Sequence, residues 1–266
     1  GMVKMLDFDF TADSLRGRII MVAGGSGGLG SAVCSLLARE GADLVIGYRS
    51  NRERALELRD HLASSFGARA LLAGGDLAVP EVRAEYLNRA GELGGPPYGC
   101  VCLTGNPARV KFEEVTESDL LKSMEENYVG PVLLARDAAS RMISSGVPGS
   151  IVLFSTMQAV APFSGSINYA GPKTALLQAV RIMAKQWGGK ADIRVNAIAP
   201  GVNAAGMALA SISSGKYDFF LDRGIIPRFG KAEDIARTVR FLLEPDSYIT
   251  GQVITVDGGL TLRRDL

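Results

Sequence analysis

The sequence predicts a doubly wound α/β fold, a seven-stranded parallel sheet with helices on both faces, built as one domain over residues 1–266. Short β-type apolar runs alternate with helical stretches along the chain, the pattern of crossover-linked parallel strands. A glycine cluster from Gly24 to Gly30 separates the first run from the first helix. The 266 residues are 47% hydrophobic and 21% charged, values suited to one large core and not to disorder.

Arg18 to Ala23 reads as the first strand and Leu29 to Glu40 as the first helix. Asp43 to Gly47, Arg69 to Ala73 and Tyr98 to Thr104 follow as strands, with helices at Arg52 to Phe66 and Pro80 to Leu93 between them. The second half gives one long helix from about Glu117 to Ile143, a strand Ser150 to Phe154 and a helix Asn168 to Trp187. Strand Ile193 to Ile198, a helix Ala232 to Leu243 and strand Gln252 to Val256 complete the series. A Gly- and Ser-bearing stretch at about 202–223 breaks the rhythm and predicts a helical lid over the substrate site. No internal linker or short-period repeat interrupts the chain.

A net charge of +1 gives no general field for nucleic acid or an anionic membrane. No apolar run reaches the length of a membrane span, and Gly1-Met2-Val3-Lys4 lacks the apolar stretch of a secretory signal, so a cytoplasmic location is expected. Cys34, Cys100 and Cys102 sit in apolar surroundings and read as buried thiols, with no metal site expected. His61 lies in a helix far in sequence from the other candidates and reads as a surface residue.

Gly24-Gly25-Ser26-Gly27-Gly28-Leu29-Gly30 lies where strand turns to helix, so backbone amides without Cβ atoms can approach a pyrophosphate at the positive helix end. Both GxGxxG from Gly25 and GxxxGxG from Gly24 fit this stretch. After the second strand, Gly47-Tyr48-Arg49-Ser50-Asn51 offers no carboxylate for a ribose 2′-hydroxyl. Arg49 and the Ser50 hydroxyl can instead hold a 2′-phosphate, which favours NADP(H) over NAD(H). Tyr169 and Lys173, four residues apart, share one face of a helix. An ammonium beside a phenol stabilises the phenolate, so this pair is expected to lower the tyrosine pKa for acid and base work.

With these motifs in order, the chain resembles the short-chain dehydrogenase/reductase family over essentially its whole length, in the single-domain Rossmann-type branch that includes the 3-oxoacyl-[acyl-carrier-protein] reductases. The resemblance rests on Gly24/Gly28/Gly30, Asp76-Leu77, Asn127, Tyr169 with Lys173, Asn196 through Pro200-Gly201, and the closing Tyr248 to Gln252 with Asp257-Gly258-Gly259. It implies that Tyr169 protonates a carbonyl oxygen, Lys173 holds the nicotinamide ribose, Asn127 supports a water relay, and the cofactor supplies hydride. Cofactor contacts are implied for Gly24, Gly25, Ser26, Gly28, Leu29, Gly30, Tyr48, Arg49, Ser50, Asp76, Leu77, Gly105, Tyr169, Lys173, Pro200, Gly201 and Asn203. A carbonyl or secondary-alcohol substrate follows, with a 3-oxoacyl thioester as one class. A homotetramer is also implied, packed through the helices 117–143 and 168–187 and through the C-terminal strand.

The chain departs from the family pattern in several places. Thr156 stands thirteen residues before Tyr169, where the family keeps its substrate-orienting serine; it is expected to donate to the substrate oxygen, with Ser155 as the substitute pointing to the other face. Cys102-Leu103-Thr104-Gly105 replaces Asn-Asn-Ala-Gly, Ala205 replaces a carboxamide-binding threonine, and Gly27 stands where many NADP-dependent members carry a basic residue. These departures motivate a second reading, a catalytically impaired dinucleotide-binding regulatory protein, and a third, a scaffold that binds no nucleotide. Met157, Gln158, Phe163, Met207, Tyr217 and Phe219 are candidate walls of a partly apolar substrate pocket, and Leu262 to Leu266 a tail that reaches a neighbouring subunit or frays.

Overall fold

A computed structural model describes Phe10 and residues 12–263, with the Met207 side chain left aside. The sequence-based expectations for Gly1 to Lys4, the Met207 side chain and Arg264 to Leu266 therefore lie outside the described residues. The strands are β1 (Ile19–Ala23), β2 (Asp43–Tyr48), β3 (Ala70–Gly74), β4 (Gly99–Cys102), β5 (Gly149–Phe154), β6 (Ile193–Pro200) and β7 (Val253–Val256). They form one 7-stranded sheet in the order β3-β2-β1-β4-β5-β6-β7, parallel throughout. The interior strands are buried along nearly their whole length, whereas edge strands β3 and β7 are only partly so.

The helices are α1 (Gly28–Arg39), α2 (Arg52–Phe66), α3 (Pro80–Leu93), α4 (Glu117–Met124), α5 (Gly130–Ser145), α6 (Met157–Val160), α7 (Ile167–Trp187), α8 (Leu209–Ser213), α9 (Asp218–Asp222), α10 (Ala232–Leu242) and α11 (Leu260–Arg263). Period-two alternation divides the core. Ile19, Met21 and Ala23 of β1 join Leu87 of α3, Leu134 of α5 and Val180 of α7 on one face. Ile20 and Val22 join Leu37 of α1, Leu62 of α2 and Val239 of α10 on the other.

The end of α10 is anchored through buried polar groups. Arg194, 6% exposed, donates to the Leu242 and Glu244 carbonyls, Ser150 Oγ donates to Leu242 O at 2.8 Å, and the Tyr98 hydroxyl donates to Leu243 O at 2.6 Å. These bonds satisfy carbonyls that a helix C-terminus leaves open, so the buried polar groups are not orphaned.

The expected long helix from Glu117 to Ile143 is present and runs to Ser145, with a π turn at Glu125–Val129 that divides it into α4 and α5. Pro131 explains the π turn: it has no N–H to return to the Asn127 carbonyl, and the Gly130 N–H bonds back five residues to Glu125 O. The stretch 202–223, expected as a helical lid, carries α8, α9 and a 3-10 turn at Gly206–Ala208.

Candidate active site

Because β1 pairs with both β2 and β4, the chain winds away in both directions and leaves a crevice beyond the C-terminal strand ends. A cleft of about 1250 Å³ fills it. That exceeds the ~300–1,000 Å³ of an ordinary small-molecule pocket and leaves room for a dinucleotide beside a substrate.

The glycine turn forms one wall. Gly24 adopts φ 78°, a conformation that favours glycine, and a Cβ at Gly30 would overlap the Gly24 carbonyl. Helix α1 starts at Gly28 with no side-chain cap on its N-cap residue Gly27, so its first-turn N–H groups are open to the cleft. This bare, uncapped cradle fits a pyrophosphate. A Cβ would be refused at Gly25 too, where it would meet Val22 O at 2.8 Å, but Gly25 packs behind the turn and does not line the cleft, whereas Gly24, Gly28 and Gly30, the glycines of the GxxxGxG alternative, do.

At the far end of that wall stand Tyr48, Arg49, Arg54, Asp76, Leu77 and Glu126. Arg49 Nη2 lies 3.4 Å from Asp76 Oδ2 and 3.7 Å from Glu126 Oε1. Asp76 Oδ1 also accepts from the Ala78 N–H at 3.0 Å. Ser50 does not line the cleft; it sits just before the N-cap Asn51, whose side chain accepts from Arg54 N at 3.1 Å. Arg54, one turn into α2, presents a second guanidinium that the sequence reading missed. Its only signal was a second basic residue in the first turn after the strand end.

Tyr169 and Lys173 lie on α7 and both line the cleft. Lys173 is 2% exposed, and its ammonium donates to Phe154 O at 2.7 Å and to Thr104 O at 3.4 Å, 5.8 Å from the Tyr169 ring centre. Desolvation pushes the Tyr169 phenol up to about 12, opposed by the positive charge of Arg109. Burial drives Lys173 down to about 8, opposed by Cys102. The expected lowering of the tyrosine by its lysine is therefore not found in the cleft as it stands. Loss of water sets the direction for both groups, and the charge that opposes it at Tyr169 is Arg109.

Asn127 is fully buried in the π turn behind this pair and does not line the cleft. Its side chain grips the backbone of Asn106 at both ends, donating to Asn106 O and accepting from Asn106 N, each at 3.0 Å, and also donates to Ser123 Oγ at 3.1 Å. Ser123 Oγ donates in turn to the Asn168 carbonyl. Asn168 Nδ2 donates to Ala108 O at 3.1 Å. The loop after β4 is thus fastened by residues on either side of the Tyr169–Lys173 helix.

These bonds bear on the departures from the family pattern. The Cys102-Leu103-Thr104-Gly105 segment is held by backbone: Leu103 N donates to Ala23 O at 2.9 Å and Thr104 O accepts from Lys173. The Thr104 hydroxyl lies 3.0 Å from Cys102 Sγ. Thr156 and Ser155 both line the cleft, but their hydroxyls are used differently. Ser155 Oγ donates to the Lys173 carbonyl at 2.9 Å, whereas Thr156 Oγ1 accepts from Gln158 N at 3.3 Å as the N-cap of α6 and keeps its hydrogen free.

Across the cleft, Pro200, Gly201, Asn203 and Gly105 join the wall. Asn203 Nδ2 donates to Gly201 O at 3.0 Å while its buried Oδ1 has no partner among the described residues. Ala205 and Gly206 close against the glycine turn, where a Cβ on Gly28 would meet Gly206 N at 2.5 Å. Met157, Gln158, Phe163, Tyr217 and Phe219 line the cleft, and Met157, Phe163 and Tyr217 also belong to a small apolar cluster with Phe220 and Ile226.

Cys34, Cys100 and Cys102 are free and buried, and desolvation pushes the Cys34 thiol up to about 12. Exposed His61 packs edge-on against Phe66, remote from the cleft. Among the described residues no group of three or more His, Cys, Asp or Glu is placed to hold a metal, and no helix is long and apolar enough to cross a membrane.

This arrangement recurs in known proteins. The sequence profile of the family described as Enoyl-(Acyl carrier protein) reductase matches residues 23–261. The chain is 29% identical to the glucose 1-dehydrogenase of Gluconobacter oxydans (strain 621H) over 259 residues, covering 95% of each chain. It is 33% identical to the hydroxynaphthalene reductase-like protein Arp2 of Metarhizium anisopliae (strain ARSEF 549) over 272 residues, covering 96% of this chain and 99% of that one. A short-chain type dehydrogenase/reductase from Mycobacterium ulcerans superposes with a TM-score of 0.87 at 26% identity, over 94% of this chain and 92% of the other. With a doubly wound sheet, an uncapped glycine cradle and a Tyr–Lys helix in one cleft, the chain belongs to the short-chain dehydrogenase/reductase family of oxidoreductases, which use nicotinamide dinucleotides.

Proposed function

We propose that the chain is an NADP(H)-dependent carbonyl reductase, also able to run as an alcohol dehydrogenase, with Tyr169 as its proton donor. The observation that carries this reading is the meeting of three things in one cleft: the glycine cradle, Tyr169 above buried Lys173, and a Thr156 hydroxyl with a free hydrogen. When bound, the dinucleotide supplies a hydride to the carbonyl carbon. Tyr169 gives its hydroxyl proton to the carbonyl oxygen, so the C=O π bond is exchanged for one C–H and one O–H bond. Thr156 donates a hydrogen bond to the same oxygen as charge develops there. A phenol pushed up to about 12 stays protonated through the neutral range, the state a donor in carbonyl reduction needs. Lys173, pinned by two backbone carbonyls, holds the ribose and orients Tyr169, and Asn127 fixes the loop beneath it.

NADP(H) is favoured by Arg49 and Arg54 at the adenosine end, with Gly28, Leu29 and Gly30 on the pyrophosphate and Asp76 and Leu77 beside the adenine. A homotetramer packed through α4, α5 and α7 is supported by exposed Leu121, Ile143, Ile167 and Ile182 on those helices. Fluorescence titration with NADPH and NADH, followed by an NADPH-oxidation screen over ketones and 3-oxoacyl thioesters, tests the reading. Tight NADPH binding with turnover is expected; binding without turnover by any carbonyl favours the regulatory alternative.

A further inference from the structure

We infer that Arg109 forms an anion-binding subsite in the substrate half of the cleft, and that the carbonyl substrate is a small oxo acid, or its hydroxy acid, whose carboxylate that guanidinium holds. The inference rests on the reductase reading and adds the substrate class to it.

Charge is unevenly divided along the cleft. Its lining carboxylates, Asp76 and Glu126, both stand at the adenosine end against Arg49. The other half carries Arg109, Lys173 and Lys216 and no lining carboxylate. Lys173 is committed to the Phe154 and Thr104 carbonyls, and Lys216 lies 5.4 Å over the Tyr217 ring. Arg109 has no carboxylate within ion-pair distance among the described residues. Its Nη1 donates to a neutral acceptor, Ser211 Oγ of α8, at 2.5 Å. A guanidinium has five N–H donors arranged to match a carboxylate in two parallel bonds, and one bond to a serine leaves that capacity unused.

Arg109 is also held in place. Ala108 before it adopts φ 52°, a left-handed backbone that strains a residue with a Cβ and persists only where its surroundings impose it. The surroundings impose it here: Ala108 O accepts from Asn168, the residue preceding Tyr169, and Ala108 N donates to Asn106 Oδ1 at 3.0 Å. Asn106 is itself clamped by Asn127. The backbone that carries Arg109 is therefore registered to the helix that carries Tyr169, its exposed side chain is tethered at Ser211, and its positive charge is felt at the Tyr169 phenol. An anionic group on Arg109 then shares the cleft with a carbonyl at Tyr169, beside the Ala108–Asn168 contact that joins the two segments. A 3-oxoacyl thioester offers no carboxylate at that place.

The test compares kcat/KM for short-chain 2-oxo and 3-oxo acids, each against its methyl ester, in wild type, Arg109→Gln and Arg109→Lys, with NADPH titration of every variant. Wild type is expected to prefer at least one acid over its ester by roughly tenfold or more. Arg109→Gln should raise the KM for that acid about ten- to a hundredfold while leaving the KM for the ester and NADPH binding unchanged; any change in kcat, from loss of the Arg109 charge near Tyr169, should be shared by acid and ester. Arg109→Lys should recover part of the KM loss. Equal or better turnover of esters, neutral ketones or 3-oxoacyl thioesters by wild type would overturn the inference and leave the reductase reading standing. So would an Arg109→Gln variant whose KM rises alike for acid and ester. Failure of wild type to bind either nucleotide would overturn the reductase reading, and this inference with it.

Discussion

The Ser155 hydroxyl donates to the Lys173 carbonyl at 2.9 Å, so the hydrogen it would need for a substrate is already committed. The neighbouring Thr156 accepts from Gln158 N and has its hydrogen to give. Thr156→Ala is therefore expected to lower kcat about 10²–10³-fold, the usual effect of losing one donor to a developing oxyanion. Thr156→Ser should keep most of the activity. Ser155→Ala should leave kcat within a few-fold and cost about 1 kcal/mol in urea unfolding, through one buried hydrogen bond. Steady-state kinetics on the three variants separates the roles, and a large kcat loss confined to Ser155→Ala would reverse them.

Arg49 and Arg54 are expected to act together on the 2′-phosphate. Each Ala substitution should raise the KM for NADPH by roughly ten- to a hundredfold, the range of hydrogen bonds to charged groups, while changing that for NADH little. Glu126, which draws Arg49 at 3.7 Å, should oppose the phosphate, so Glu126→Gln should tighten NADPH binding. Fluorescence titration of the three variants with both nucleotides checks this.

The elements that the sequence revealed and those it hid differ for physical reasons. Fully buried strands such as β5 and amphipathic helices such as α10 leave periodic signals, and their predicted spans match within a residue or so. The glycine turn was visible because its residues answer a local backbone demand. Tyr169 and Lys173 could be paired by spacing and Thr156 placed by the family resemblance, but the division of labour between Ser155 and Thr156 depends on which carbonyl and which N–H each hydroxyl meets. Pro131 was in view, yet its effect, the π turn that presents Asn127 to Asn106, needs the packed helix to be seen. Arg109 was hidden further: it stands in an irregular loop, and its nearness to Ser211 and Tyr169 arises from chain segments far apart in sequence.

Stability should carry the mark of the buried lysine. Lys173 goes from 10.5 in an unfolded chain to about 8 in the fold. Between those values the unfolded chain binds the proton and the native one does not, so stability rises with pH across that window. As pH falls from 10.5 to 8 that contribution is lost, a change of up to roughly 3 kcal/mol. In urea unfolding without nucleotide, wild-type stability minus that of Lys173→Met should therefore grow as pH rises from 8 toward 10.5. A flat difference across this range would mean that Lys173 stays charged in the fold.

The most direct test of the reductase reading is NADPH oxidation with a carbonyl substrate by wild type and Tyr169→Phe, each at saturating nucleotide, alongside nucleotide titration. Removing the proton donor should lower kcat by about 10²–10⁴-fold with the NADPH affinity unchanged. Turnover by Tyr169→Phe at the wild-type rate would contradict the assignment of Tyr169 as the proton donor, and with it the proposed mechanism.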